Sequence, residues 1–161
     1  MPNGTTHRLV GAASGATFAA CRAKGQSEEN RIVEAVGGAI GGYLGGIMPD
    51  LLEPAISSWH RGTAHSYAGG ATVVAAATSV LAQWESVCRT NAENCKAILM
   101  IRGADGQFAL ASPFRQFMLS LGELFWRLMA GLLNGFVAGY ISHVALDAGT
   151  PRSIPLLING F

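Results

Sequence analysis

The chain has 161 residues; half are hydrophobic and only 13% are Asp, Glu, Lys or Arg, against roughly 25% in soluble domains. That length suits one helical domain spanning 1–161, and the charge deficit together with 21 glycines points to a membrane or a tightly packed assembly. A net charge of +1, with Lys and Arg scattered away from aromatics, sets nucleic acid aside as a partner.

Four apolar segments follow in order, at about 6–22, 28–48, 64–87 and 113–147, and each reads as a helix. The first carries His7 and Cys21. Arg8 is the only cation ahead of its apolar run and no cleavage site is defined, so the segment is expected to be retained in the chain rather than removed as a signal peptide.

The second segment opens at SEEN. Ser27 can cap it, Glu28 and Glu29 suit the positive end of a helix dipole, and Pro49 stops it. Its length of about 31 Å matches one hydrocarbon thickness. Gly37-Gly38, Gly41-Gly42 and Gly45-Gly46 recur every four residues and leave one face without side chains, so another backbone must pack there. In water each such glycine costs about 1 kcal/mol relative to Ala. A close-packed membrane helix pair explains the pattern more economically than a soluble helical core, and a homo-oligomer or larger membrane complex joined through the Gly37–Gly46 face is the expected partnership.

HSYAGGATVVAAATSVLAQW, at 65–84, is long and apolar enough to span. The polar stretch CRTNAENC after it reads as a loop that Cys88 and Cys95 could close in an oxidising compartment, with free thiols the favoured reading. KAILMIRGADGQFALASP holds two short apolar runs around Ala104-Asp105-Gly106, the pattern of a small β-hairpin near 96–111 or of a structured loop. In the last segment Glu123 and Arg127 stand four apart and can pair, and 128–146 is again about one span.

These segments predict an all-α, membrane-embedded bundle of about four helices running up, down, up, down. That topology gathers His7, Asp50, His60, His65, His143 and Asp147 at one end. All four histidines of the chain are in that set. His143 and Asp147 share a helix face, and His with carboxylate is a ligand set for zinc, manganese or iron. Arg22, Lys24, Arg31, Arg89, Lys96, Arg102 and Arg115 fall at the other end, so the positive-inside rule turns the histidine end away from the cytoplasm.

MPD at 48–50, HRGTAHS at 60–66 and GYISHVALDAGTPRSIPLL at 139–157 resemble the YdjM-type membrane-bound metal-dependent hydrolases, whose pattern runs roughly LPDIDHP, HRGxTHS and GYLSHxxxDxxTPxGVPLL. The Thr6-His7 pair before a small apolar helix fits their N-terminus. More distantly the pattern is similar to zinc-dependent phospholipase C and related zinc nucleases. The resemblance implies that His7, Asp50, His60, His65, His143 and Asp147 are metal ligands or site residues, in a protein of the bacterial inner membrane.

One departure matters. Where the family pattern reads Asp-Ile-Asp-His-Pro, this chain has Asp50-Leu51-Leu52-Glu53-Pro54, so Glu53 stands where the family has His. A divalent metal, zinc first and manganese second, lowers the pKa of its water to about 7; Arg61 can then stabilise charge on a phosphoryl oxygen, with Asp50 or Glu53 as general base. The first expectation is a metal-dependent phosphoester hydrolase working among membrane lipids, with a lipid-linked substrate suggested by a site at the bilayer surface. The alternative is a non-enzymatic membrane or complex subunit whose His/Asp network is a structural or vestigial clasp. A third reading, a soluble helical protein with a buried polar site, predicts purification without detergent.

Overall fold

The computed structural model describes residues 4–54, 63–99 and 112–149. These residues form five helices and no strand: α1 (Gly4–Arg22), α2 (Glu28–Gly45), α3 (Met48–Leu52), α4 (Tyr67–Leu99) and α5 (Pro113–Ala148). Polar caps set three of the starts. Ser27 accepts the Asn30 N–H ahead of α2, Ser66 accepts the Gly69 N–H ahead of α4, and Ser112 accepts the Arg115 N–H ahead of α5, where Pro113 loses nothing by lacking an N–H.

The glycine face of α2 is filled from within the chain. A Cβ on Gly37, Gly41 or Gly45 would overlap the carbonyls of Leu128, Leu132 or Phe136 on α5; one on Gly38 or Gly42 would overlap Gly15 or Gly11 on α1. This register runs α2 parallel to α5 and antiparallel to α1. Within the chain, the backbone that the glycine pattern demands is therefore supplied by α1 and α5. Small-residue contact of this kind lets three backbones approach at van der Waals distance.

On the other side of α5 lies α4, antiparallel to it. Trp84 Nε1 donates to the Met129 carbonyl at 2.6 Å, Cys95 lies beside Gly122, and Ala77 and Leu81 pack with Val137. α5 thus touches α1, α2 and α4 and carries the largest buried set, from Arg127 to Asp147.

Three expectations change. CRTNAENC is helical, because α4 continues unbroken for 33 residues; Asn91 donates to the Val87 carbonyl within the helix and Glu93 accepts from Arg127 on α5, so their polarity does not break it, and Cys88 and Cys95 are both free thiols. α2 ends at Gly45 rather than at Met48, since Pro49 opens the short α3 at a position that needs no N–H. Arg127 reaches Glu93 on α4 and Gln26 before α2 rather than pairing along its own helix with Glu123. Of the span in which a hairpin was expected, 96–99 is the last turn of α4 and 100–111 lies outside the described residues.

A second polar layer, which no short sequence motif marks, ties the helices together far from the histidines. Arg22 grips Glu85 with two bonds of 2.8 Å, Arg89 grips Glu34 at 3.1 and 2.6 Å, and Asn134 donates to Glu85 at 2.6 Å. Glu34 and Asn134 are completely buried. One signal for it was present: Glu34 falls on the same face as the glycines at 37, 38, 41 and 42, and a residue on a face that must meet backbone is buried too.

Candidate metal centre

Four separate stretches deliver side chains to the histidine end. α1 brings His7 in its first turn. The α2–α3 junction brings Asp50 in the first turn of α3, with Glu53 just past its end. The turn before α4 brings His65, and the last turns of α5 bring His143 and Asp147. Tyr140 holds that turn onto α5 by donating to the Ala64 carbonyl at 2.6 Å.

His143 is completely buried, and its Nδ1 lies 2.6 Å from the Gly46 carbonyl. A carbonyl only accepts, so Nδ1 carries the proton and Nε2 presents a lone pair. Among the described residues that Nε2 has no hydrogen-bond partner. It faces Asp50 Oδ1 and Asp147 Oδ2, each at 3.6 Å. His65 is arranged in the same sense: Glu53 Oε2 lies 3.0 Å from its Nδ1, and its Nε2 stands 3.2 Å from Asp50 Oδ1 and 3.9 Å from Asp147 Oδ2. His7 stacks on His143 with ring centroids 3.8 Å apart and places Nε2 3.4 Å from Asp147 Oδ1.

These separations resemble a coordination polyhedron more than a hydrogen-bonded net. Ligands at 2.0–2.1 Å from a tetrahedral zinc lie roughly 3.4 Å from one another, whereas a charged hydrogen bond closes to about 2.7–2.9 Å. Two groups of donors meet the same condition, His7–His143–Asp147 and Asp50–His65–His143, and both use His143. An imidazole lone pair buried against two carboxylates is unfavourable unless a cation lies among them. The donor set of imidazole nitrogen and carboxylate oxygen fits a borderline divalent ion such as zinc or manganese.

Glu53 stands behind His65 and anchors the turn that carries it. Glu53 Oε1 accepts the Ala64 N–H at 2.7 Å and Oε2 accepts the His65 N–H at 3.4 Å. Burial raises the Glu53 pKa, but the hydrogen bonds from Ala64 and His65 outweigh it and hold the carboxyl below the usual carboxylate range. A carboxylate fixing the far nitrogen of an imidazole is the usual support behind a metal-ligating histidine.

Of the expected site residues, His7, Asp50, His65, His143 and Asp147 come together, and Glu53 stands behind His65. His60 and Arg61 lie outside the described residues. The Gly46 carbonyl and the Tyr140 hydroxyl were not anticipated; a backbone carbonyl has no signature in sequence, and Tyr140 is simply one of several aromatics in an apolar run. Asp50 is the open side of the cluster: its side chain is 44% exposed, against 6% or less for His65, His143, Asp147 and His7.

Two helical stretches, Glu28–Leu52 and Pro113–Ala148, are long and apolar enough to cross a bilayer. The chain belongs to the YdjM inner membrane protein family, whose model matches residues 1–158. No curated protein and no solved structure matches it.

Proposed function

We propose that this protein is a metal-dependent hydrolase of phosphoesters in the inner membrane, with its centre at the α1–α3–α5 end. The observation that carries the reading is the buried, unpartnered His143 Nε2 between two carboxylates. Asp50, His65, His143 and Asp147 would hold the ion, and His7 supports Asp147 from its other oxygen. Zinc or manganese there would supply a Lewis acid for a phosphoryl oxygen and a water acidified to a pKa of about 7.

The remaining chemistry belongs to the chain. Gly46 holds His143 in the tautomer that points its Nε2 lone pair inward, and Glu53 orients the His65 ring. Asp50, on the exposed side, is the ligand that borders the face open to substrate. Arg61, within HRGTAHS, supplies positive charge for a phosphoryl oxygen. The excess of Lys and Arg at the opposite end favours an orientation with the centre away from the cytoplasm.

A specific observation favours a second reading, a structural clasp. Both oxygens of Glu53 are engaged with the 64–65 turn, so the position that the family pattern gives to His ties helices together here. A structural ion is closed by its ligands and a catalytic one keeps an open position; the exposure of Asp50 supports the catalytic reading.

The deciding experiment measures metal by elemental mass spectrometry on protein purified without a histidine tag, with His65→Ala and His143→Ala alongside. Near-stoichiometric metal in the wild type, lost from both folded variants, is expected, followed by hydrolysis of a phosphoester panel. Full metal retention in both variants would sink the assignment, and metal without any hydrolysis would favour the clasp.

A further inference from the structure

Beside the cluster, a groove of about 630 Å³ runs along the seam of α1 and α5. We propose that it holds one acyl chain of a phosphate-headed lipid whose headgroup reaches the His–carboxylate cluster. This rests on the hydrolase reading above and names the substrate class for it.

Three features of the groove select a hydrocarbon chain. Its lining is apolar, with Phe18 and Cys21 from α1 and Val137, Ala138 and Ile141 from α5. Two of the three hydroxyls that line it are turned back on their own helices, Thr17 donating to the Ala13 carbonyl at 2.9 Å and Ser142 to the Gly139 carbonyl at 2.8 Å, which leaves Ser14. A peptide or sugar would meet few free polar partners there, whereas a chain of methylenes needs none. The groove is also open along its side, where Phe18 and Ile141 are exposed, and Ile141 stands on a helix, α5, long and apolar enough to cross a membrane. A lipid can therefore enter it sideways from the bilayer.

The link to the cluster is its walls. α1 and α5 also carry His7, His143 and Asp147, and Ser142 is the residue before His143. Ala13 is six residues beyond His7, and Ile141 is six before Asp147, a rise of about 9 Å on each wall. That offset places the linkage between chain and headgroup between groove and donors.

The test uses full-length protein in nanodiscs containing a trace of phosphatidic acid with a diazirine at the chain end, cross-linked by light and mapped by peptide mass spectrometry. Labelling is expected to concentrate in 13–21 and 137–142 and to fall at least fivefold in Ala138→Trp, which fills the groove. Ala13→Phe, on the exposed side of α1, serves the same purpose if the first variant does not fold. Excess unlabelled phosphatidic acid should displace the probe better than diacylglycerol does. Labelling spread evenly over other exposed positions such as Ile40 and Val80, or equal competition by the two lipids, would overturn the proposal. Metal content measured on the same sample separates the two ideas: bound metal with even labelling removes the groove alone, and localised labelling without metal removes the hydrolase reading alone.

Discussion

Glu53 grips His65 twice, by the ring Nδ1 at 3.0 Å and by the backbone N–H at 3.4 Å. One carboxylate thereby fixes both the position of the turn before α4 and the orientation of the imidazole it delivers. Replacing it should loosen the metal without removing a ligand. Glu53→Gln is expected to weaken metal affinity about 10–100-fold, the usual effect of losing such a support, read by competition with a chromophoric chelator. An affinity equal to wild type would mean that His65 is not oriented through Glu53.

The same residue gives a pH signature. The folded pKa of Glu53 lies below its ordinary value, so its stabilising contribution is fully present above about pH 4.3 and is lost as pH falls through the folded value. Metal-free wild type should therefore melt above Glu53→Gln at pH 7, and the gap should close below about pH 4. A gap that persists unchanged at pH 3 would contradict the ionised clasp.

Glycines on α2 and α4 should respond in opposite directions to the same substitution. Gly41→Ala sets a Cβ against the Leu132 carbonyl, a clash with backbone that cannot rotate away, and is expected to destabilise by about 1–3 kcal/mol. At Gly70 the nearest atom to a new Cβ is Val144 Cγ1 at 3.9 Å, ordinary contact, so Gly70→Ala should stabilise α4 by up to about 1 kcal/mol. Thermal unfolding in one detergent compares the two; a neutral Gly41→Ala would count against the α2–α5 register.

In the buried charge layer, Glu34→Ala leaves Arg89 without its two-bond partner and removes a carboxylate from beside Arg127. Breaking a buried pair from one side costs about 3–5 kcal/mol. Urea-induced unfolding should show a loss of that order, and a change below about 1 kcal/mol would assign the layer to a water-accessible surface.

Cys88 and Cys95 sit seven residues apart on one continuous helix, a rise of about 10 Å. A disulfide needs Cα atoms within about 7 Å. Mild oxidation should leave both thiols titratable in the folded protein, and a Cys88–Cys95 cross-link in its mass map would show that α4 is broken there.

Much of this architecture is legible in the amino-acid order. Apolar runs of span length, capping serines and prolines locate the long helices, because those signals act within a few residues of where they stand. Spacing alone puts His143 and Asp147 on one face. Alternating direction, carried by short connections, then predicts a common end for His7, Asp50, His65 and the α5 pair.

Other features depend on what lies across the interface. The glycine ladder of α2 calls for a neighbouring backbone, yet its periodicity is the same whether that backbone belongs to the same chain or to another; only the packed helices assign it to α1 and α5. CRTNAENC reads as a loop because its polar residues lack partners in sequence, and Arg127 satisfies one of them, Glu93, from a different helix. Glu53 reads as a ligand or a base until its oxygens are found on Ala64 and His65. The inward lone pair of His143 depends on the carbonyl of Gly46, a group that every residue carries and no sequence distinguishes. Local chemistry determined the elements, and the pairing of buried polar groups, which requires partners distant in the chain, decided what those elements hold between them.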